Sequence, residues 1–308
     1  MFLFKSIFPR ENVVFTEYIK QRLKHKYFLT RYRNVVKIRY IGLAFTPLLS
    51  YFNGPFSLTR GGSLNGNCKW TGTGWTVEVL HSRAGVSTTI LISVGSGERL
   101  LLDCGDGTLR DLLNREVDPK RIAGVLISHG HFDHVGGLHP VLGFIRMVGR
   151  NSDFFVVAPE GSFEDRLIIK AFTEAYGGTI PFNINRREVR EGAELELAGI
   201  KIIPFGVVHH GSTEMEGIGP RLPSLGYKLF YNDERVIYTG DCGLDSGLEK
   251  HIQGVNLAII EATLDEPGGE LEAKVHLSIE SARRIAEPAE TAFIIHRPGG
   301  AAPKKVTR

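Results

Sequence analysis

The spacing of apolar and polar residues changes character near residue 70. From Trp70 onward, short β-branched and apolar runs alternate with segments of helical period. The spacing predicts strands over Thr76–Leu80, Thr88–Val94, Arg99–Leu102, Ile122–Ile127 and Phe154–Ala158. Helices are predicted around Thr108–Leu113, Gly137–Val148 and Phe163–Tyr176. The second half reads as richer in strands: Glu194–Leu197, Lys201–Val208, Leu225–Tyr231, Val236–Thr239 and Leu257–Glu261. A helix over Ser278–Ile285 and a strand over Ala292–Ile295 close the pattern. Strands and helices in mixed order predict an α/β layered domain.

Residues 1–69 have a different texture. Phe15, Tyr18, Ile19, Leu23, Tyr27 and Tyr32 recur at roughly helical spacing with Lys and Arg between them, as in a basic amphipathic helix. Tyr40 to Thr59 carries no charge and is long enough for a membrane span, but Pro47, Pro55, Gly42, Gly54 and Asn53 argue against one. A cleaved signal peptide is disfavoured by the ten basic side chains ahead of that run. Three readings stand for this extension: contact with phosphates or a membrane, packing against the domain, or an upstream extension from a wrongly chosen start codon. The expected organisation is a basic, aromatic extension over 1–69 and one catalytic domain over 70–308.

Composition narrows the class. The chain has 308 residues, of which 42% are hydrophobic and 23% charged, as in a globular protein with a sizeable core. The net charge of +3 is unevenly spread: residues 1–40 carry +8, which leaves −5 for the rest. Cys68, Cys104 and Cys242 form neither a disulfide framework nor a Cys-x-x-Cys metal pattern, so a reducing, cytoplasmic setting is expected.

The chemistry concentrates in Ser128-His129-Gly130-His131-Phe132-Asp133-His134, after a predicted strand and before a predicted helix. Residues two apart in an extended chain point the same way, so His129, His131 and Asp133 are expected to converge. His134, at the helix entry, is free to serve a second centre. Three imidazoles and a carboxylate within six residues form a ligand set suited to zinc, and also to manganese or iron.

This segment resembles the His-x-His-x-Asp-His signature of the metallo-β-lactamase-fold superfamily. Further segments resemble its other motifs in order: Leu101 to Thr108, Phe205 to His209, Tyr238-Thr239-Gly240-Asp241, and Phe293 to His296. The resemblance covers roughly Gly72 to His296 and implies a four-layer αββα sandwich with metals at one edge. It implies that His129, His131 and His209 hold one metal ion and that Asp133, His134 and His296 hold the other. Asp241 would bridge the two. His210 competes with His209 for the third histidine; His209 is preferred because it follows Val207 on the same strand face.

Within the superfamily, Ser224-Leu225-Gly226-Tyr227 after the third histidine resembles the phosphodiesterase branch that includes ribonuclease Z. Glu261 and His276 resemble that branch's paired glutamate and histidine, and Gly72-Thr73-Gly74 its opening turn. Departures accompany the likeness. The stretch from Pro159 to His209 holds one helix and two strands by this reading, leaving no room for a long tRNA-gripping arm. The fourteen residues between His209 and Ser224 are more than the branch usually has there, and they border the metal site. The chain stops twelve residues after His296, so no closing helix is expected.

The resemblance implies a hydrolase that cleaves phosphodiester bonds, with RNA as a candidate substrate, using a hydroxide bridging two divalent ions. Asp133 would orient that nucleophile as well as ligate, His276 would protonate the leaving alkoxide, and Glu261 would hold the His276 tautomer. The alternative on the same fold is hydrolysis of a lactone, ester or sulfate; a non-catalytic nucleic-acid-binding relative is a third. No stable membrane association is expected, and a homodimer is.

Overall fold

The structure, a computed structural model, describes residues 27–32, 35–40, 68–298 and 304–307. It divides into two compact units, Met1–Arg60 and Gly61–Arg308. In the first unit, strand β1 (Tyr27–Tyr32) pairs antiparallel with β2 (Val35–Tyr40), Tyr27 facing Tyr40 and Tyr32 facing Val35. The helical reading therefore fails at Tyr27 and Tyr32. Both segments are rich in aromatic and β-branched residues, which suit a pleated surface better than a helix. The Phe15–Leu23 part of the expected helix lies outside the described residues. So does the charge-free run beyond Tyr40.

The second unit is built on two seven-stranded sheets. The first holds, in spatial order, β3 (Lys69–Thr71), β4 (Trp75–Arg83), β5 (Ser87–Val94), β6 (Arg99–Leu102), β7 (Ile122–Leu126), β8 (Phe154–Pro159) and β9 (Ile184–Val189). The second runs β10 (Leu195–Leu197), β11 (Ile200–Gly206), β14 (Leu225–Tyr231), β15 (Glu234–Tyr238), β16 (Leu257–Glu261), β17 (Thr291–Ile295) and β18 (Lys304–Thr307). Strand alternation sorts the side chains. Leu100 and Leu102 enter the core between the sheets with Val77, Ile92, Ile202 and Phe293, while Leu101 faces the opposite way.

Helices cover both outer faces. Helix α1 (Thr108–Asn114), α2 (Phe132–Val135), α3 (Leu138–Met147) and α4 (Glu164–Tyr176) lie over the first sheet, burying Leu112, Leu138, Leu142 and Phe172 against it. Helices α5 (Glu249–Ile252) and α7 (Ile279–Ala286) cover the second, with α6 (Gly269–Lys274) between them in sequence; Ile252 and Ile285 pack on Ile260 and Ile294. The result is the four-layer αββα sandwich expected from the sequence. Parallel strands β16 and β17 are buried along their whole length, which explains their unbroken apolar runs.

Several elements differ from the sequence reading, and two of the differences lie between Pro159 and Ser224. Between Pro159 and His209 there are three strands after the helix, not two. The extra one is β9, whose Asn185, Arg186, Arg187 and Glu188 hide its strand character while blunting a sheet edge. The residues between His209 and Ser224 form a separate two-stranded hairpin, β12 (His210–Thr213) and β13 (Gly217–Arg221).

Close sheet packing has a measurable consequence. Gly124 on β7 sits opposite Phe155 on β8, and a side chain there would collide with the Phe155 backbone oxygen. Gly124→Ala is expected to destabilise the fold by about 1–3 kcal/mol, as for other overpacked cores. Equilibrium urea unfolding measures it; an unchanged midpoint would contradict the packing described here.

Candidate metal centre

The centre lies where parallel strands end. Ser128 to His131 follow β7, Asp241 follows β15, Glu261 ends β16 and His296 follows β17. Crevices outside the carboxyl ends of strands are common binding sites in α/β sheets. At this edge the two sheets are tied together. Tyr227 on β14 donates its hydroxyl to the Ile127 carbonyl at 2.6 Å, and Leu225 donates its N–H to the Ser128 carbonyl at 2.9 Å.

The central tie is Asp103, fully buried just after β6. Its carboxylate accepts the Ser128 N–H at 2.6 Å, the Ser128 hydroxyl at 2.7 Å, the Tyr238 hydroxyl at 2.5 Å and the His134 Nδ1–H at 2.6 Å. Asp103 has φ +56 and His296 φ +54, left-handed values for residues other than glycine. Such backbone strain costs of order 1–3 kcal/mol and collects at functional sites.

Around this tie, nitrogen and oxygen atoms converge in two sets. In the first, His131 Nδ1 is 2.9 Å from His129 Nε2 and 3.3 Å from His209 Nε2, with Asp241 Oδ2 3.9 Å from His129 Nε2. In the second, His296 Nε2 is 3.3 Å from His134 Nε2 and 3.2 Å from Asp133 Oδ2. Asp241 stands between the sets, 3.3 Å from His134 Nε2 through Oδ2 and 3.4 Å from His296 Nδ1 through Oδ1. Donors held about 2.0–2.1 Å from a tetrahedral ion lie about 3.3–3.4 Å apart, so this spacing fits a zinc-sized cation.

The environment suits ligation chemically. His209 Nδ1–H donates to the Val275 carbonyl at 2.8 Å, and His296 Nδ1 meets the Thr263 hydroxyl at 2.9 Å. With His134 on Asp103, three imidazoles have their outward nitrogen engaged and the other turned to the centre, the arrangement that orients metal-binding histidines. Burial pushes the His209 imidazole down to about 3 and His129 well below its ordinary value, so both stay neutral with a lone pair to give. Burial alone would raise Asp241, but the His296 and His134 charges outweigh it and hold the carboxyl well below the usual range.

Residues 98–296 match the family described as beta-lactamase superfamily domain. The chain belongs to that family. This beta-lactamase superfamily protein is 29% identical over 231 residues to an enzyme named ribonuclease Z from Ignicoccus hospitalis, covering 64% of this chain and 74% of that one. It is 27% identical over 150 residues to a ribonuclease Z from Archaeoglobus fulgidus, covering 48% of this chain and 44% of that one. The chain thus spans under half the length of the Archaeoglobus relative. Human tRNase Z, short form, superposes with a TM-score of 0.59 at 21% identity, over 72% of this chain and 92% of that one, a likeness of fold.

Extended-chain geometry alone groups His129, His131 and Asp133, whereas the family resemblance puts Asp133 with His134 and His296. The structure brings His129 and His131 together with His209 and places Asp133 with His134 and His296. The reason is local: the chain turns helical at Phe132, so Asp133 swings to the other set. His209 is fully buried within the first set, whereas half-buried His210 turns its Nδ1–H to the Gly219 carbonyl at 2.9 Å. His276 stands beside the centre with its ring 5.3 Å from that of His209 and 5.7 Å from that of His296. Its Nδ1–H donates to Glu261 Oε1 at 3.0 Å. Burial works against a charge on His276, but Glu261 and then Asp241 outweigh it and carry its pKa up to about 9.

Four contributors lacked a role in the sequence reading of this superfamily protein. Asp103 and Tyr238 sit inside quoted motifs, yet their meeting spans 135 positions and leaves no local trace. Thr263 touches both Glu261 Oε2 and His296 Nδ1. Gly85, at the β4–β5 turn, donates its N–H to Asp133 Oδ2 at 2.9 Å. Cys104 and Cys242 are fully buried, and burial pushes the Cys104 thiol up to about 12, so both act as packing groups.

Asp103→Asn removes the charge that holds His134 in place. Metal affinity is expected to fall about 10–100-fold, the usual effect of losing such a support. Competition with a chromogenic chelator measures it; unchanged affinity would show that Asp103 serves the fold alone.

Proposed function

We propose that this metal-dependent hydrolase cleaves phosphodiester bonds, with RNA as its substrate class, using two divalent cations. The observation that carries the reading is the pair of donor sets meeting at Asp241 in a chain whose relatives are named ribonuclease Z. His129, His131 and His209 would hold one ion, Asp133, His134 and His296 the other, with Asp241 shared. Zinc fits the donor set best, and manganese or iron suit it too. When bound, such a pair supplies an acidified water and polarises the phosphoryl oxygens.

The side chains supply the remaining steps. Asp133, steadied by the Gly85 N–H, orients the attacking water towards phosphorus. With Nδ1 engaged by Glu261, His276 has Nε2 left to give its proton to the departing alkoxide. Glu261 keeps that geometry by also accepting the Thr263 N–H at 2.8 Å and the Leu277 N–H at 3.1 Å. Residues 70–308 constitute the catalytic domain in this reading, and 1–69 an extension. We also propose a homodimer, which light scattering checks; the mass of a single chain would overturn it.

Hydrolysis of bis(p-nitrophenyl) phosphate against a chromogenic lactone, ester and sulfate ester tests the substrate class. Preference for the phosphodiester is expected, and preference for any of the others overturns it. His276→Ala is expected to retain bound metal and lose about 10²–10⁴-fold in rate on RNA. The loss should shrink for a p-nitrophenolate leaving group, which needs no proton. Equal losses for good and poor leaving groups would remove the acid role.

A further inference from the structure

Among the described residues, three aromatic side chains are largely open to solvent: Phe132 at 67%, Phe163 at 50% and Tyr176 at 36%. One of the three, Phe132, sits within the segment that supplies the metal donors. Phe132 lies between His131 and Asp133, one donor from each set, and both neighbours are committed to the centre by the contacts of their own side chains. An exposed phenyl ring forfeits the burial that stabilises the other aromatics of this fold. Its place is nonetheless held, because it opens α2 in the segment that supplies the donors.

Phe163 is brought near the same loop by its neighbour in sequence. It directly precedes α4, whose first residue, Glu164, occupies the space where a side chain on Gly130 would go. That contact brings the start of α4 against the His129–His131 segment. The exposed Arg166 guanidinium lies 5.0 Å from the centre of the Phe163 ring, pairing a cation with an aromatic face. Solvent-facing aromatic faces beside an arginine are the elements with which proteins hold unstacked bases of single-stranded nucleic acid.

We propose that Phe132 is a substrate-binding residue whose ring stacks on a nucleobase next to the scissile phosphate, with Phe163 and Arg166 forming a second shelf for the adjoining nucleotide. The inference rests on the phosphodiesterase reading and narrows it to single-stranded, base-bearing substrates. Stacking on a phenyl ring tolerates any base, so this shelf selects for the presence of a base rather than for its identity.

The test compares Phe132→Ala, Phe132→Trp and Phe163→Ala in the full chain loaded with zinc. Two substrates share a leaving group and differ in the base: adenosine 5′-(p-nitrophenyl phosphate) and ribose 5-(p-nitrophenyl phosphate). The binding counterpart compares AMP with ribose 5-phosphate by calorimetry. Phe132→Ala is expected to lower the preference for the base-bearing member roughly tenfold in both kcat/KM and affinity. Phe132→Trp should keep the preference, and Phe163→Ala should reduce it less on these mononucleotide probes and more on a short RNA. Metal content counted in each variant separates loss of the ring from damage to the donor set. An unchanged preference in Phe132→Ala, or an equal loss for both members of each pair, overturns the stacking role. If the unmodified protein cleaves neither phosphodiester, the phosphodiesterase reading itself fails, and the shelf with it.

Discussion

Asp103 accepts four hydrogen bonds in a place fully closed to solvent, and the centre depends on where they come from. Two come from Ser128, which fixes the start of the histidine-rich loop. One comes from His134, which fixes the direction of its ring. The fourth comes from Tyr238, across the core on the second sheet. A buried carboxylate with unmade bonds is costly, of order several kcal/mol, so these partners are bound to meet. Once they do, the edge of one sheet is registered against the edge of the other. The distance between donors contributed by opposite sheets then follows.

Glu261 repeats the device on the second sheet. It accepts N–H groups from Cys242, Thr263 and Leu277 and holds His276 through Nδ1. Both carboxylates end or follow a strand, and both grip an imidazole while anchoring loops from elsewhere in the chain. The centre therefore has two rigid halves, each organised by an acid that does not face it. Thr263 joins the halves through His296, whose backbone N–H also donates to the Ser82 hydroxyl on the first sheet. The outer rim is built differently. Phe132, Phe163 and the β12–β13 hairpin carry exposed side chains, with Met215 at the hairpin tip 97% open. Rigid donors and an open rim suit an enzyme that fixes its chemistry and meets a variable substrate there.

What the sequence disclosed follows the range of each interaction. Strands such as Arg99–Leu102 and Leu225–Tyr231 were readable to the residue, because alternation and β-branching act locally. The histidine cluster was readable because its members are adjacent, and the remaining donors because motif order pointed to strand ends. The polar edge strand β9 and the β12–β13 hairpin lacked an apolar pattern and were missed. Extended-chain geometry alone sets Asp133 beside His129 and His131, whereas the motif resemblance assigns it with His134 and His296, where the structure groups it. Asp103 and Tyr238 stand 135 positions apart, so their partnership became visible only in three dimensions.

The proposed centre works only if its two donor sets act together through Asp241. Crystals grown with zinc and measured at energies flanking the zinc absorption edge test it directly. Two anomalous peaks per chain are expected, about 3.5–4 Å apart, with Asp241 between them. A single peak among His129, His131 and His209, with nothing beside Asp133, His134 and His296 at saturating zinc, would contradict it.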